Sequence, residues 1–470
     1  MEPKTMDVEA LSKELTLNKK NGFFQVDDEE IARADQFCED YKVFMDASKT
    51  EREATEEAIR RAEAKGFVPY DPTASYKPGD KVYVNNRGKS VMLAVIGEKG
   101  SREGVRIAAA HIDCPRIDLK PIPLYESSDL ALLKTHYYGG IKKYQWTAIP
   151  LAMHGCVVLR GGKKVKVCIG EEPGDPQFCI TDLLPHLAQE QSVKTLGKAI
   201  EGEDLNILFG SRPIRSEKGE NLFKLNILRL LNEKYGMVEQ DFITAEIEFV
   251  PAFKAVDIGL DRSMVGAYGH DDRVCAYPAL EAVLNCCEIP QQTVITVLTD
   301  KEETGSAGNT GLESSYLRYF VHALAKQDGV DGHDVLSQST CLSADVAAAY
   351  DPTYASAYEA NNSCYLNKGV GVIKYTGSRG KGGTSDASAE FMGQVRDLLD
   401  DNNVLWQTGE LGRVDLGGGG TVAQYVANLN VDVVDVGVPV LSMHAPFEVV
   451  AKLDIYMAYR AFKAFFDQKK

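Results

Sequence analysis

Apolar and polar positions along this chain change their period several times. Residues 27–48 and then up to about 65 are rich in Glu, Ala, Arg and Lys with helical spacing. Ser48 followed by Glu51 has the form of a capping box, and Gly66 sits where a left-handed C-terminal cap would fall. Residues 81–85 and 90–97 read as short strands separated by turn residues. The apolar run 105–110, ending in His111, has the character of a strand buried on both faces. From about 118 to 251 the pattern is different. Short β-like pieces at 155–159 and 164–169, a charged stretch at 201–221 and an alternating run at 242–250 predict an inserted β-rich unit.

After 252 the periods alternate. Residues 272–287 carry Val274, Tyr277, Leu280, Ala282 and Leu284 at helical spacing. Strands are predicted at 293–299, 340–345 and 431–436, and helices at 314–326, 385–399, 422–427 and 447–466. Strand–helix alternation implies an α/β fold, a sheet with helices on both faces. The predicted organisation is a catalytic domain in two parts, 1–117 and 252–470, interrupted by a unit at 118–251. No repeat is visible, and the glycine run at 417–420 reads as a loop.

Composition narrows the possible partners. The 470 residues are 44% hydrophobic and 26% charged, ordinary values for a globular protein, and the net charge is −16. So acidic a chain is a poor ligand for nucleic acid or an anionic membrane surface, and neither is expected as a partner. The N-terminal residues lack the apolar segment of a secretion signal, and no stretch approaches about 18 continuous apolar residues. Ten scattered cysteines without a C-x-x-C pair read as reduced thiols. The expectation is a soluble, cytoplasmic protein.

Five short motifs carry candidate chemistry, each near a predicted strand end or helix start. His111-Ile112-Asp113 closes a buried strand; His111 can ligate a metal or simply cap the strand, and Asp113, two residues on, can orient it. In His270-Asp271-Asp272-Arg273, Asp271 is placed as a ligand, Asp272 as a helix N-terminal residue and His270 as a loop histidine. In Asp300-Lys301-Glu302-Glu303-Thr304-Gly305, adjacent glutamates point in different directions, so one can ligate while its neighbour serves as general base. Asp345 follows the strand at 340–342, and His444 lies in Ser442-Met443-His444-Ala445-Pro446 before the last predicted helix. Ligands of open α/β sheets bind at the carboxyl ends of strands, where all five motifs fall. Two histidines and several carboxylates form an N/O donor set suited to Zn²⁺, Mn²⁺ or Co²⁺, and five ligands with one bridging carboxylate can hold two metals.

In order and spacing these motifs, with Ser343-Ala344-Asp345-Val346-Ala347 and Ser442 to Glu448, resemble the aspartyl aminopeptidase and vacuolar aminopeptidase I family of clan MH zinc metallopeptidases. The resemblance implies that His111 and Asp345 bind one zinc, Glu303 and His444 a second, and that Asp271 bridges them. It makes Glu302 the general base and acid and Asp113 the residue that steers His111. It further implies a phosphopeptidase-like mixed sheet flanked by helices, an inserted β-rich oligomerisation or lid domain, and assembly into tetrahedral dodecamers with the sites facing an inner chamber. The chain departs from the animal-type pattern at Ala348 and Asp351, where those members carry histidines, and near Glu190.

The activity so implied is removal of N-terminal residues from peptides. In an acidic chain, residues 371–381 carry three cations and no carboxylate, and Lys374 matches the family position linked to an acidic substrate side chain. An N-terminal Asp or Glu is therefore expected. The rival readings are a broad or neutral-preferring aminopeptidase, an N-acyl amino-acid deacylase on the same metals, and a non-catalytic self-assembling scaffold.

Overall fold

The computed structural model describes residues 7–17, 20–286 and 288–469. Strands Ser90–Val95, Arg106–His111 and Val294–Thr299 are buried at every position, in keeping with their largely apolar sequences. They lie inside a nine-stranded sheet. At its centre Val294–Thr299, Arg106–His111, Thr340–Ser343 and Asp432–Gly437 run side by side and parallel. Antiparallel strands flank them: Ser90–Val95 beside Val294–Thr299, and Val370–Ile373 beside Asp432–Gly437.

Helices cover both faces. One core gathers Tyr41, Phe44, Tyr277, Leu280 and Phe462; the other gathers Ile107, Val297, Phe320 and Val426. Helix His270–Leu284 is buried at every residue except Glu281, because the sheet, the N-terminal helices and the last helix enclose it. Asp271 and Asp272 have non-helical φ/ψ, so regular turns begin after them, close to the expected start at 272, and the helix stops at Leu284; Cys287 lies outside the described residues.

A seven-stranded sheet is built from residues between Arg116 and Pro251, with helix Leu222–Tyr235 against it and its own core around Ile117, Leu133, Trp146 and Phe249. A third sheet of five short strands contains Val256–Ile258, Met264–Ala267, Glu448–Ala451, Pro439–Leu441 and Ala347–Ala348. No helix among the described residues is long and apolar enough to cross a membrane.

Several expectations need correction. The helix at 51 is capped by Thr50, whose Oγ1 accepts from Glu53 N at 3.2 Å, while Ser48 closes the preceding helix. The helix therefore starts two residues later than the Ser48–Glu51 pattern predicts, with Thr50 as its N-cap. Gly66 does take the left-handed conformation, at φ 85°. The predicted helix 447–466 begins as strand Glu448–Ala451 and becomes helical only at Lys452. Two adjacent valines there pair across the small sheet, a partner that helical periodicity cannot reveal. Likewise 242–244 belong to a 3₁₀ turn, and the strand runs Ala245–Pro251.

Candidate metal centre

Register brings the motifs together. His111 pairs with Thr299 and Ala109 with Ser343, so three parallel strands end at one edge. From that edge leave His111 to Asp113, Asp300 to Glu303, and Asp345. The small sheet supplies the rest: Ala267 pairs with Glu448, placing the Asp271 loop beside the turn that holds His444. Because His444 sits between strands Pro439–Leu441 and Glu448–Ala451, its motif is a strand–strand turn and not the expected strand–helix junction.

The centre of the site is Asp271, 3% exposed. One of its oxygens lies 3.2 Å from His111 Nε2 and the other 3.2 Å from His444 Nε2. Each imidazole donates its remaining N–H to a backbone carbonyl. His111 Nδ1 reaches Asp113 O at 2.9 Å, and His444 Nδ1 reaches Gly140 O at 2.8 Å. Both tautomers are thereby set with Nε2 toward Asp271. Glu303 Oε1 lies 3.6 Å from His444 Nε2, and Glu302 Oε2 lies 3.8 Å from His111 Nε2. Donor atoms of His111, Asp271 and Asp345 fall within 4.8 Å of one another, as do those of Asp271, Glu303 and His444. Asp271 is common to both groups.

The two glutamates are presented by a tight 3₁₀ turn, Glu302–Thr304, with Lys301 in the left-handed region before it and Gly305 after it. Asp113, fully buried, ties that turn down: its carboxylate accepts Glu302 N at 3.1 Å and Glu303 N at 3.2 Å. Its own carboxylate is also 3.4 Å from His111 Nδ1. Asp272 stands in the first turn of its helix, as expected. It is buried and accepts His111 N at 3.2 Å, and the Asp271–Asp272 peptide is cis. His270, read as a loop histidine, is fully buried between Tyr41 Oη and Val265 O.

The electrostatics are those of acids crowded into low dielectric. Burial, reinforced by Asp113 and Asp271, pushes the Glu302 carboxyl up to about 7. Burial, with Asp271 for Glu303 and Glu302 for Asp345, drives those two carboxyls well up as well. Burial opposes charge on His444 too, yet Asp271 and Glu303 lift its pKa to about 10. Burial likewise works against Asp271, but hydrogen bonds from His111 and His444 hold its carboxyl below the usual range. Ionising the raised carboxyls together in this low-dielectric site requires compensating positive charge. Glu303 Oε1 is buried without a hydrogen-bond partner, a free lone pair beside Asp271. Two imidazole nitrogens and three carboxylates fit divalent zinc.

A cavity of about 450 Å³ opens over Asp271, Glu302, Glu303, Asp345 and His444. Ala348 and the glycines 418–420 also line it, whereas Lys374 does not. Its neighbours Ile373 and Thr376 do, and the Lys374 ammonium pairs with Asp386, which Lys381 also contacts.

Sequence reasoning assigned no role to three residues that hold the ligands or Asp113. Glu448 is buried and accepts His444 N at 2.7 Å and Asp271 N at 3.1 Å. It stood inside the Ser442–Glu448 string, so its place in the motif was a signal. Tyr138, whose hydroxyl reaches the Asp113 carboxylate, ends a strand of the seven-stranded sheet and Gly140 follows it; both lie far along the chain from the ligand motifs and gave no signal.

A profile of the family described as aminopeptidase I zinc metalloprotease (M18) matches residues 44–466. The chain belongs to the M18 family of zinc aminopeptidases. It is 47% identical over 454 residues to a probable M18 family aminopeptidase 1 of Clostridium acetobutylicum, covering 95% of this chain and 97% of that protein. The crystal structure of an M18 aminopeptidase from Thermotoga maritima superposes with a TM-score of 0.92 at 40% identity, covering 96% of this chain and all of that one. A dodecamer of yeast mApe1 shares the fold at 20% identity, with a TM-score of 0.74 over 93% of this chain and 97% of that one. As an M18 aminopeptidase, the chain is a zinc-dependent hydrolase whose candidate ligands meet at the carboxyl edge of its main sheet.

Proposed function

We propose that this aminopeptidase uses two zinc ions, one held by His111 and Asp345, the other by Glu303 and His444, with Asp271 shared between them. The observation that carries the reading is Asp271 itself, with one oxygen facing each histidine at 3.2 Å. A pair of such cations, when bound, supplies Lewis acidity toward a water and the scissile carbonyl; Mn²⁺ or Co²⁺ can take the same donors. Glu302 takes the proton of the attacking water and returns it to the leaving amine. Its high pKa and its place on the cavity wall, held by Asp113 through its backbone N–H, suit a group that must both accept and release a proton. Asp113 steers His111. Among the described residues the cavity wall carries acids, Glu410 included, and neither Lys nor Arg. That wall welcomes the α-ammonium of a free peptide N-terminus, which an N-acyl amino acid lacks, and so favours peptide cleavage over deacylation. The complete ligand and base set argues against a non-catalytic scaffold.

The two readings of the substrate side chain use Lys374 differently. An N-terminal Asp or Glu would require the Lys374 ammonium to leave Asp386 and turn into the cavity. A neutral side chain needs no such change, because Ile373, Ala347, Ala348, Leu411 and Met443 already form an apolar wall. The lining supports the neutral preference. Comparing kcat/KM for Asp-, Glu-, Leu- and Ala-initiated substrates in wild type and Lys374→Ala separates them. A wild type favouring Asp tenfold, with the preference lost in the variant, would restore the acidic reading.

Residues 118–251 are taken as an inserted domain between the catalytic parts 1–117 and 252–470, supported by its separate core. This unit presents Leu183, Leu184, Leu187, Val193 and Leu196 with half or more of their surface exposed. Such an apolar segment supports burial between subunits of a homo-oligomer, and a dodecamer is the proposed form. All nine described cysteines are free thiols, which supports a cytoplasmic setting. The deciding experiment is metal analysis: two zinc ions per chain, activity lost on chelation, and recovery on addition of Zn²⁺, Mn²⁺ or Co²⁺. One ion per chain in a fully active sample would remove the dinuclear reading.

A further inference from the structure

Strand Leu130–Tyr138 belongs to the seven-stranded sheet, yet its last residue and the two glycines after it reach the metal centre. Tyr138 Oη donates to Asp113 Oδ2 at 2.7 Å. The same carboxylate carries the backbone amides of Glu302 and Glu303. A phenol from one sheet thus fixes the anchor on which both glutamates of the other depend. Two residues on, the Gly140 carbonyl accepts from His444 Nδ1 at 2.8 Å. Between them Gly139, at φ +72°, passes so close that a Cβ there would lie 3.1 Å from Glu303 Oε2 and 3.3 Å from Glu303 Cβ. Three consecutive residues therefore touch Asp113, Glu303 and His444.

We propose that Tyr138 is a positioning residue of the metal centre, and that the Tyr138–Gly140 strap makes the grip on the cations depend on how the seven-stranded sheet is seated. The inference rests on the metal-site reading above. A carboxylate with four lone-pair directions is aimed only when enough donors share it. With Tyr138, Asp113 Oδ2 has the phenol and Glu303 N; without it, Oδ2 keeps a single amide at 3.2 Å. The turn carrying Glu302 and Glu303 then loses part of its fixed direction, and a ligand that wanders binds its cation less tightly. The alternative role for Tyr138 is packing. The Arg116 guanidinium lies 3.9 Å from its ring centroid, a contact that a phenylalanine ring also provides.

Tyr138→Phe separates the two roles, since it removes the hydroxyl and keeps the ring. Zinc affinity would be measured by competition with a chromophoric chelator, alongside the visible spectrum of the Co²⁺-loaded protein and the melting of the metal-free protein. The expected result is about 10–100-fold weaker binding of one zinc ion and an altered Co²⁺ spectrum, with the metal-free melting temperature unchanged. Affinity and spectrum identical to wild type, or a weakened affinity accompanied by a lower metal-free melting temperature, would assign Tyr138 to packing and overturn the proposal. A wild-type protein that holds no zinc overturns the metal-site reading, and this inference with it; a wild type that holds zinc confines any failure to Tyr138.

Discussion

Asp271 donates its backbone N–H to Glu448 Oε2 at 3.1 Å, and the other oxygen of Glu448 takes the N–H of His444. One buried carboxylate therefore fixes the main chain of the shared ligand and of a histidine 173 residues further along. The cause is register in the small sheet, where Ala267 and Glu448 are partners. Glu448→Ala should weaken zinc binding about 10–100-fold while leaving Glu302 in place. Zinc competition with a chelator measures it, and an affinity equal to wild type would remove Glu448 from the support of the ligands.

The adjacent glutamates should part company on mutation. Glu302→Gln should keep folding and zinc content and lose about 10²–10⁴-fold in kcat, the range of a general base. Glu303→Gln should lose zinc. Metal analysis beside steady-state kinetics is the check; an empty site in Glu302→Gln with a full one in Glu303→Gln would reverse the two roles.

Away from the metals, His154 joins the helix Glu51–Ala64 to the seven-stranded sheet. Its Nδ1 donates to Glu53 at 3.0 Å and its Nε2 to Glu171 at 3.1 Å, so both nitrogens carry protons. Lys49 and Lys254 also hold Glu171, Lys166 lies near Glu53, and Cys168 faces His154 across the strand pair. Burial opposes the imidazolium, but Cys168, Glu171 and Glu53 raise its pKa well above the ordinary value. A raised folded pKa contributes stability that is complete below about pH 6.5 and is lost as pH rises toward the folded value. His154→Gln should therefore lower the melting temperature most at pH 6, with the gap narrowing toward pH 9. A gap that stays constant or widens over that range would rule out the charged form.

The apolar segment at 183–196 is tested by charge. Leu184→Asp with Leu187→Asp alters side chains that are 50% and 67% exposed, so each chain should still fold. Light scattering should show a smaller particle than wild type. An unchanged mass would place the subunit contacts elsewhere.

The sequence by itself determined the parts that depend on neighbours along the chain. The runs at 90–97, 105–110 and 293–299 read as strands, 105–110 with the character of one buried on both faces, and their ends announced His111 and the Glu302–Glu303 pair. Five short motifs in the right order also carried the family. Long-range pairing decided the rest. Helical periodicity claimed 447–466 whole, because nothing local says that Glu448–Ala451 meets Met264–Ala267. The same missing partner hid Glu448, whose two hydrogen bonds go to residues that only the small sheet brings near. Tyr138 and Gly140 were silent for the same reason. Lys374 stood out as a cation after an apolar run, and only the fold gives its ammonium to Asp386, twelve residues on and outside the cavity wall. Side-chain chemistry and local period are written in neighbouring residues. Which carboxylate meets which cation is set by strand register, and register is fixed only when the sheets assemble.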